Sequence, residues 1–74
     1  MNVIEVMDPS GHTRHIWNSE MEAEVEAAKS LFKTLVKKGY RAFHVKKDGE
    51  EGKAMTDFDP EAEKMIMVPP LQGG

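Results

Sequence analysis

Residues 19–38 carry the pattern that most restricts how this chain folds, because they predict one long amphipathic helix. Apolar side chains recur there at intervals of three and four residues, as they do on one face of an α-helix. The sequence SEME is a capping box, in which Ser19 and Glu22 satisfy each other's backbone N–H groups. Gly39 stands where a left-handed C-terminal cap belongs. A helix of about 19 residues, roughly 28 Å long, is not stable alone and must lie on other structure.

The segment before this helix predicts a β-hairpin. Residues 2–7 and 12–17 are rich in β-branched and apolar side chains, which favour strands. Between them, Asp8 and Pro9 suit the first two positions of a type I turn, and Gly11 suits a left-handed position after it.

The segment after the helix predicts further strands. Residues 40–46 and 64–68 are expected to be strands, and residues 54–58 either a short strand or an irregular crossover. Asp59 and Pro60 predict a capped single turn before the last strand. The expected fold is therefore α+β, a mixed sheet of four or five strands with one long helix packed on one face.

Alternate side chains of a strand point to opposite faces of the sheet, so the sequence also predicts which residues meet the helix. The residues expected to face the helix are Ile4, Val6, Phe43, Val45, Ile66 and Val68. The residues expected on the opposite face are Val3, Ala42, His44, Met65 and Met67. We predict that Ala42, His44, Met65 and Met67 form a partner-binding patch, since flexible methionines suit recognition. Burial under loops, or self-association, is the alternative.

Composition excludes several classes of function. The net charge of −3 argues against non-specific binding of nucleic acid. No apolar run is long enough for a membrane helix, and the absence of cysteine in so small a chain indicates a cytoplasmic protein. The three histidines are too few and too poorly spaced for a metal site, and residues 57–63 lack the glycine of a calcium loop. No catalytic constellation is present, so we expect neither an enzyme nor a cofactor.

The end of the chain, MVPPLQGG, suggests a functional C-terminal tail. Neither Pro69 nor Pro70 can donate to a sheet, so pairing stops there, and a stiff extended proline pair would hold the tail off the domain. We predict a domain at residues 1–69 and a flexible tail at 70–74. Two glycines pass through a narrow channel where side chains would clash. The alternative is an inert flexible terminus.

The hairpin NVIEVMDPSGHTRHIW, the helix at 19–38 and the strand and tail MIMVPPLQGG together resemble the ubiquitin-like β-grasp family. The resemblance covers nearly the whole chain and is one of layout and end motif. Members open with a hairpin, cross the sheet with a helix, and end in a last strand with a free tail, often Gly-Gly. The tail here has prolines and Gln72 where ubiquitin is basic. Small bacterial and phage ubiquitin-like proteins are therefore the better comparison.

The resemblance implies a protein modifier. The Gly74 carboxylate would be adenylated and passed to a thiol and then to target amines, with Gly73 beside it and no processing step needed. Leu71 and Gln72 would be recognised in the enzyme's channel. The implied partners are an adenylating (E1-like) enzyme, an E2-like enzyme, a deconjugating metalloprotease and protein targets. In ubiquitin the outer sheet face also binds partners.

Two other functions remain open at this point. One is a sulfur carrier of the β-grasp type, whose Gly74 carboxylate becomes a thiocarboxylate. The other is a non-conjugating binding module, for phage or host interaction, that uses the open face of its sheet.

Overall fold

The computed structural model describes residues 1–45 and 52–70, and in them one helix lies on a five-stranded mixed sheet. The elements in chain order are β1 (Asn2–Asp8), β2 (Gly11–Trp17), α1 (Glu22–Lys37), β3 (Arg41–Val45), β4 (Lys53–Met55) and β5 (Lys64–Val68). The order across the sheet is β2-β1-β5-β3-β4; β1 and β5 are parallel, and the other neighbouring pairs are antiparallel. The predicted α+β class is confirmed, with a short strand as the fourth.

The hairpin is confirmed, and its turn is held by one carboxylate. Asp8 pairs with Gly11, so Pro9 and Ser10 form the loop, and Gly11 has the predicted positive φ, 142°. The Ser10 N–H donates to Asp8 Oδ1 at 3.0 Å, and the Ser10 hydroxyl donates to the same oxygen at 2.8 Å. These two bonds favour the ionised carboxylate and hold the pKa of Asp8 below its usual value.

The helix begins later than the sequence predicts. It starts at Glu22 and has 16 residues, and its N-cap residue makes no side-chain cap bond, so the predicted capping box at 19–22 is wrong. Asn18 replaces it: its side-chain oxygen accepts from the Glu20 N–H at 2.9 Å, and its own N–H donates to Glu24 Oε1 at 3.0 Å. Asparagine side chains compete well for nearby backbone groups, and here they form a turn ahead of the helix.

The end of the helix follows the prediction. Gly39 has φ 96°, and its N–H donates to the Val36 carbonyl at 3.0 Å. The Tyr40 N–H donates to the Leu35 carbonyl, also at 3.0 Å. These two bonds form a Schellman motif, which satisfies carbonyls that the last helical turn leaves free.

The predicted single turn before β5 is confirmed and joins the hairpin to the rest of the fold. Asp59 accepts a bond from the Ala62 N–H at 3.1 Å. Trp17 Nε1 donates to the Pro60 carbonyl at 3.2 Å, and Asn2 Nδ2 donates to the Ala62 carbonyl at 2.7 Å. Two buried side chains of the hairpin therefore hold the turn through its backbone.

The core between α1 and the sheet corrects the predicted faces of two strands. Its members are Ile4, Val6, Trp17, Ala28, Phe32, Leu35, Ala42, Ala62, Met65 and Met67. The prediction for β1 is confirmed, but β3 and β5 are reversed, so Phe43, Val45, Ile66 and Val68 point away from the helix. The register is the cause: Met65 pairs with Ile4, and Met67 pairs with both Val6 and Ala42. Paired residues share a face, so the face of β1 decides that of its neighbours.

Candidate functional site

The predicted partner-binding patch is not on the surface. The exposed fractions of Ala42, Met65 and Met67 are 3%, 0% and 0%, and all three belong to the core under the helix. His44 pairs with Met65, on the same side of the sheet, and is half-buried. Ala42, Met65 and Met67 are therefore unavailable to a partner in the folded domain, and the assignment of all four residues to the face away from the helix is wrong.

The side of the sheet away from α1 carries the apolar residues that the prediction placed inside. We define the outer sheet face by Val3, Ile16, Phe43, Ile66 and Val68. Val3 pairs with Ile16, and Phe43 pairs with Ile66, so these side chains adjoin across four strands. Ile16 is 52% exposed and Val68 is 38% exposed, while the other three are half-buried. This face is an apolar surface on the side opposite the helix.

Charged side chains lie among the apolar residues of the outer sheet face. Lys64 pairs with Val3, and Glu5 pairs with Ile66. Glu5, in its middle, lies between Arg14 Nε and Lys64 Nζ, each 3.6 Å from one of its carboxylate oxygens. Arg41 pairs with Val68 and is exposed. The described strands therefore bring three cations and one carboxylate to this face, although the whole chain has a net charge of −3. Such a surface complements a partner site in which apolar and acidic groups are interspersed.

The chain leaves the sheet after β5 and passes the end of the helix. β5 ends at Val68, Pro69 is half-buried, and Pro70 lies against the end of the helix, where a Cβ added to Gly39 would be 3.3 Å from Pro70 Cβ. Pro70, the second proline of the pair and the first residue assigned to the tail, therefore still contacts the domain. The four predicted tail residues, Leu71, Gln72, Gly73 and Gly74, lie outside the described residues.

A hydrogen bond links the two turns near this exit. Tyr40, which follows the helix cap, donates its hydroxyl to Asp8 Oδ2 in the hairpin turn at 3.4 Å. Partial burial, and then the negative charge of Asp8, raise the pKa of Tyr40 above its usual value. Because the pKa of Tyr40 is raised in the fold, its contribution to stability is fully present below pH 10.0 and is lost as the pH rises through the raised pKa. Because the pKa of Asp8 is lowered, its contribution is present above pH 3.8 and is lost as the pH falls through the lowered pKa.

Replacing Gly39 with alanine is expected to lower the free energy of unfolding by about 1–2 kcal/mol. An L-residue with positive φ is strained by that amount, and the added Cβ would press on Pro70. Gly52→Ala is the control, because Gly52 has no positive φ and its added Cβ would make ordinary contacts at 3.4 Å. Urea unfolding followed by circular dichroism measures both. Equal midpoints for the two variants would contradict the role given to the Gly39 cap.

Other kinds of site find no support in the described ranges. Residues 1–45 and 52–70 hold no group of three His, Asp or Glu side chains placed to share a metal ion. His12 pairs with Met7 and His15 pairs with Ile4, so these two histidines lie on opposite faces of β2. Within the same ranges, α1 is neither long nor apolar enough to cross a membrane.

The candidate site thus combines the outer sheet face with the chain exit at Pro70. Comparisons of the chain with protein-family models, with curated proteins and with solved structures found no match.

Proposed function

We propose that the protein is a ubiquitin-like modifier with a β-grasp fold. A five-stranded mixed sheet with one helix on one face is compatible with that fold. The observation that carries the proposal is the path of the last strand. β5 runs through the centre of the sheet, ends at an apolar outer face and leads past Pro70 into LQGG. A reactive terminus and a docking surface would then lie next to each other.

The chemistry proposed for the tail needs ATP and partner enzymes, with Gly74 as the terminal residue of the active form. The Gly74 carboxylate attacks the α-phosphorus of ATP, and pyrophosphate leaves. A cysteine thiolate of the adenylating enzyme then attacks the acyl carbon, forming a thioester and releasing AMP. A target amine finally displaces the thiolate and forms an amide, with loss of a proton. Gly73 and Gly74 lack side chains that would obstruct these attacks.

The adenylating enzyme would recognise two parts of the chain, the tail and the edge of the outer sheet face. Leu71 and Gln72 would be read inside the channel of the adenylating enzyme. Val68 and Arg41, at the edge of the outer sheet face nearest the exit, would be contacted by the same enzyme outside that channel. An E2-like enzyme and a deconjugating metalloprotease are the further partners proposed.

Removal of Gly73 and Gly74 is expected to abolish every covalent adduct of the protein. The full chain, tagged at the exposed Met1, should give higher-mass species in its native cells. After trypsin, which cuts behind Lys64, a modified lysine should carry the branch Met65–Gly74. Ser30→Ala, on the exposed side of α1, is the control and should keep all adducts. Adducts that survive the deletion would refute conjugation through Gly74.

The same deletion separates the two other candidate functions. A sulfur carrier would give no adducts, but its intact mass would rise by the difference between sulfur and oxygen. A non-conjugating binding module is favoured by one observation, the outer sheet face, whose apolar side chains lie among basic ones. Such a module would keep its partners after the deletion and lose them when Phe43 and Ile66 are both replaced by serine.

A further inference from the structure

A second apolar surface lies on the helix side of the domain. It is a groove of about 260 Å³ between the second half of α1 and the segment that follows β4. Phe32, Val36 and Phe58 form its apolar lining. Val36 is 40% exposed although it lies on an otherwise well-patterned helix, so its apolar surface is not used by the core. We call this surface the α1–β4 groove.

The floor of the α1–β4 groove is held in place by aromatic contacts. The rings of Phe58 and Phe32 meet edge to face with centroids 5.8 Å apart, and Phe58 also contacts Trp17 at 5.4 Å. A neighbouring cavity of about 340 Å³ shares Val36 and continues to Met55. The two cavities share Val36 and Thr56, so they adjoin, and each has the volume to take a bulky apolar side chain.

The border of the α1–β4 groove is basic. Lys33 and Lys37 lie one helical turn apart along it, and Arg41 borders the neighbouring cavity, against a single carboxylate, Asp57. Both ion pairs found among the described residues involve Glu5, on the opposite side of the sheet. Neither pair neutralises these three cations, and the net charge of the chain is negative. Charge complementarity therefore selects an acidic occupant.

We propose that the α1–β4 groove binds a partner segment with two bulky apolar side chains flanked by aspartate or glutamate. The apolar side chains occupy the two cavities, and the carboxylates pair with Lys33 and Lys37. This inference does not rest on the conjugation proposed above, since the tail takes no part in it. The neighbouring cavity shares Arg41 and Phe43 with the outer sheet face, so the groove is a second binding surface that adjoins the first.

The test uses a short fluorescein-labelled peptide with two leucines flanked by glutamates, titrated with the full chain by fluorescence anisotropy. The K33Q/K37Q variant is expected to bind it about four- to twentyfold more weakly, since each lost exposed ion pair changes affinity by a factor of about two to five. K29Q/K38Q is the matched control. It makes the same charge change on the same helix segment outside the groove lining, and should weaken binding less than about twofold at physiological salt.

Two further measurements fix the occupant and the place. Replacing the leucines of the peptide with serine, or its glutamates with lysine, should remove binding. Amide chemical shifts should change in residues 32–37 and 56–58 and remain constant at Val3 and Ile66. The proposal is overturned by absent binding, by equal binding of the lysine-flanked peptide, by equal losses in the two double variants, or by shifts at Val3 and Ile66. A dimer that K33Q/K37Q dissociates would also overturn it, because a second copy would then be the occupant.

Discussion

Trp17→Ala is expected to leave most of the domain unfolded at room temperature. The Trp17 side chain is fully buried at the end of β2, contacts Phe58, and donates Nε1 to the Pro60 carbonyl at 3.2 Å. Truncating a buried aromatic residue costs about 3–5 kcal/mol, and the carbonyl would also lose its donor. A domain of this size lies near the lower end of the usual 5–15 kcal/mol of stability. Circular dichroism and urea unfolding would measure the loss.

Two variants separate the causes of that loss. Trp17→Phe keeps an aromatic ring and removes the Nε1 donor, so a smaller loss of about 1–3 kcal/mol is expected. Ile16→Ala changes the neighbouring residue, which is 52% exposed on the other face of β2, and should cost less than about 1 kcal/mol. If Trp17→Ala unfolded at the same urea concentration as Ile16→Ala, the hairpin could not be fixed to the core through Trp17.

Met67→Asp is expected to abolish folding, whereas Val68→Asp is expected to be tolerated. Met67 is fully buried between Val6 and Ala42, where an aspartate would be an unpaired buried charge. Such a substitution belongs to the class that costs more than about 4 kcal/mol. Val68, the next residue, is 38% exposed and pairs with the cationic Arg41, so a carboxylate there stays in water near a positive charge.

Thermal unfolding of the two variants tests the orientation of β5 directly, because the substitutions are adjacent and introduce the same side chain. Val68→Asp should lower the free energy of unfolding by about 1 kcal/mol or less, the usual range of β propensity. The opposite ranking would restore the strand orientation that alternation predicted and would contradict the buried methionines.

The elements that local chemistry specifies could be predicted from the sequence. The DPSG turn, the glycine cap at Gly39, the turn at Asp59 and the bounds of β5 each depend on residues close together in the chain. The start of the helix was mispredicted because two polar residues competed to organise it. Ser19 had the better spacing, but Asn18 forms the bonds.

The faces of the central strands could not be predicted in the same way. In KMIMV each alternating set contains two apolar residues, Ile66 and Val68 in one and Met65 and Met67 in the other, so the period of two does not say which set is buried. The pairings of Met65 with Ile4 and of Met67 with Val6 decide the question, and they join residues from opposite ends of the chain. The predicted partner-binding patch was therefore assigned to the wrong face, and the same register places Phe43, Ile66 and Val68 on the outer sheet face.

Asn2 had no sequence signal at all. It opens a strand, where asparagine is disfavoured, yet it is 8% exposed and donates to the Ala62 carbonyl at 2.7 Å. Its contribution to stability comes from a hydrogen bond to the Ala62 carbonyl, an acceptor that is in place only when the turn before β5 has folded. A buried carboxamide of this kind is recognisable once the distant turn is in position.

The central place of β5 also sets the order in which the polypeptide can complete its fold during synthesis. In the described sheet, β5 lies between the antiparallel pairs β1–β2 and β3–β4. Before β5 has been synthesised, these two pairs cannot be joined into one sheet. Closure then requires contacts between residues about sixty positions apart, which slows folding relative to proteins built from local contacts. A nascent chain stalled before Lys64 would present exposed strand edges to chaperones, or to another copy in the same state.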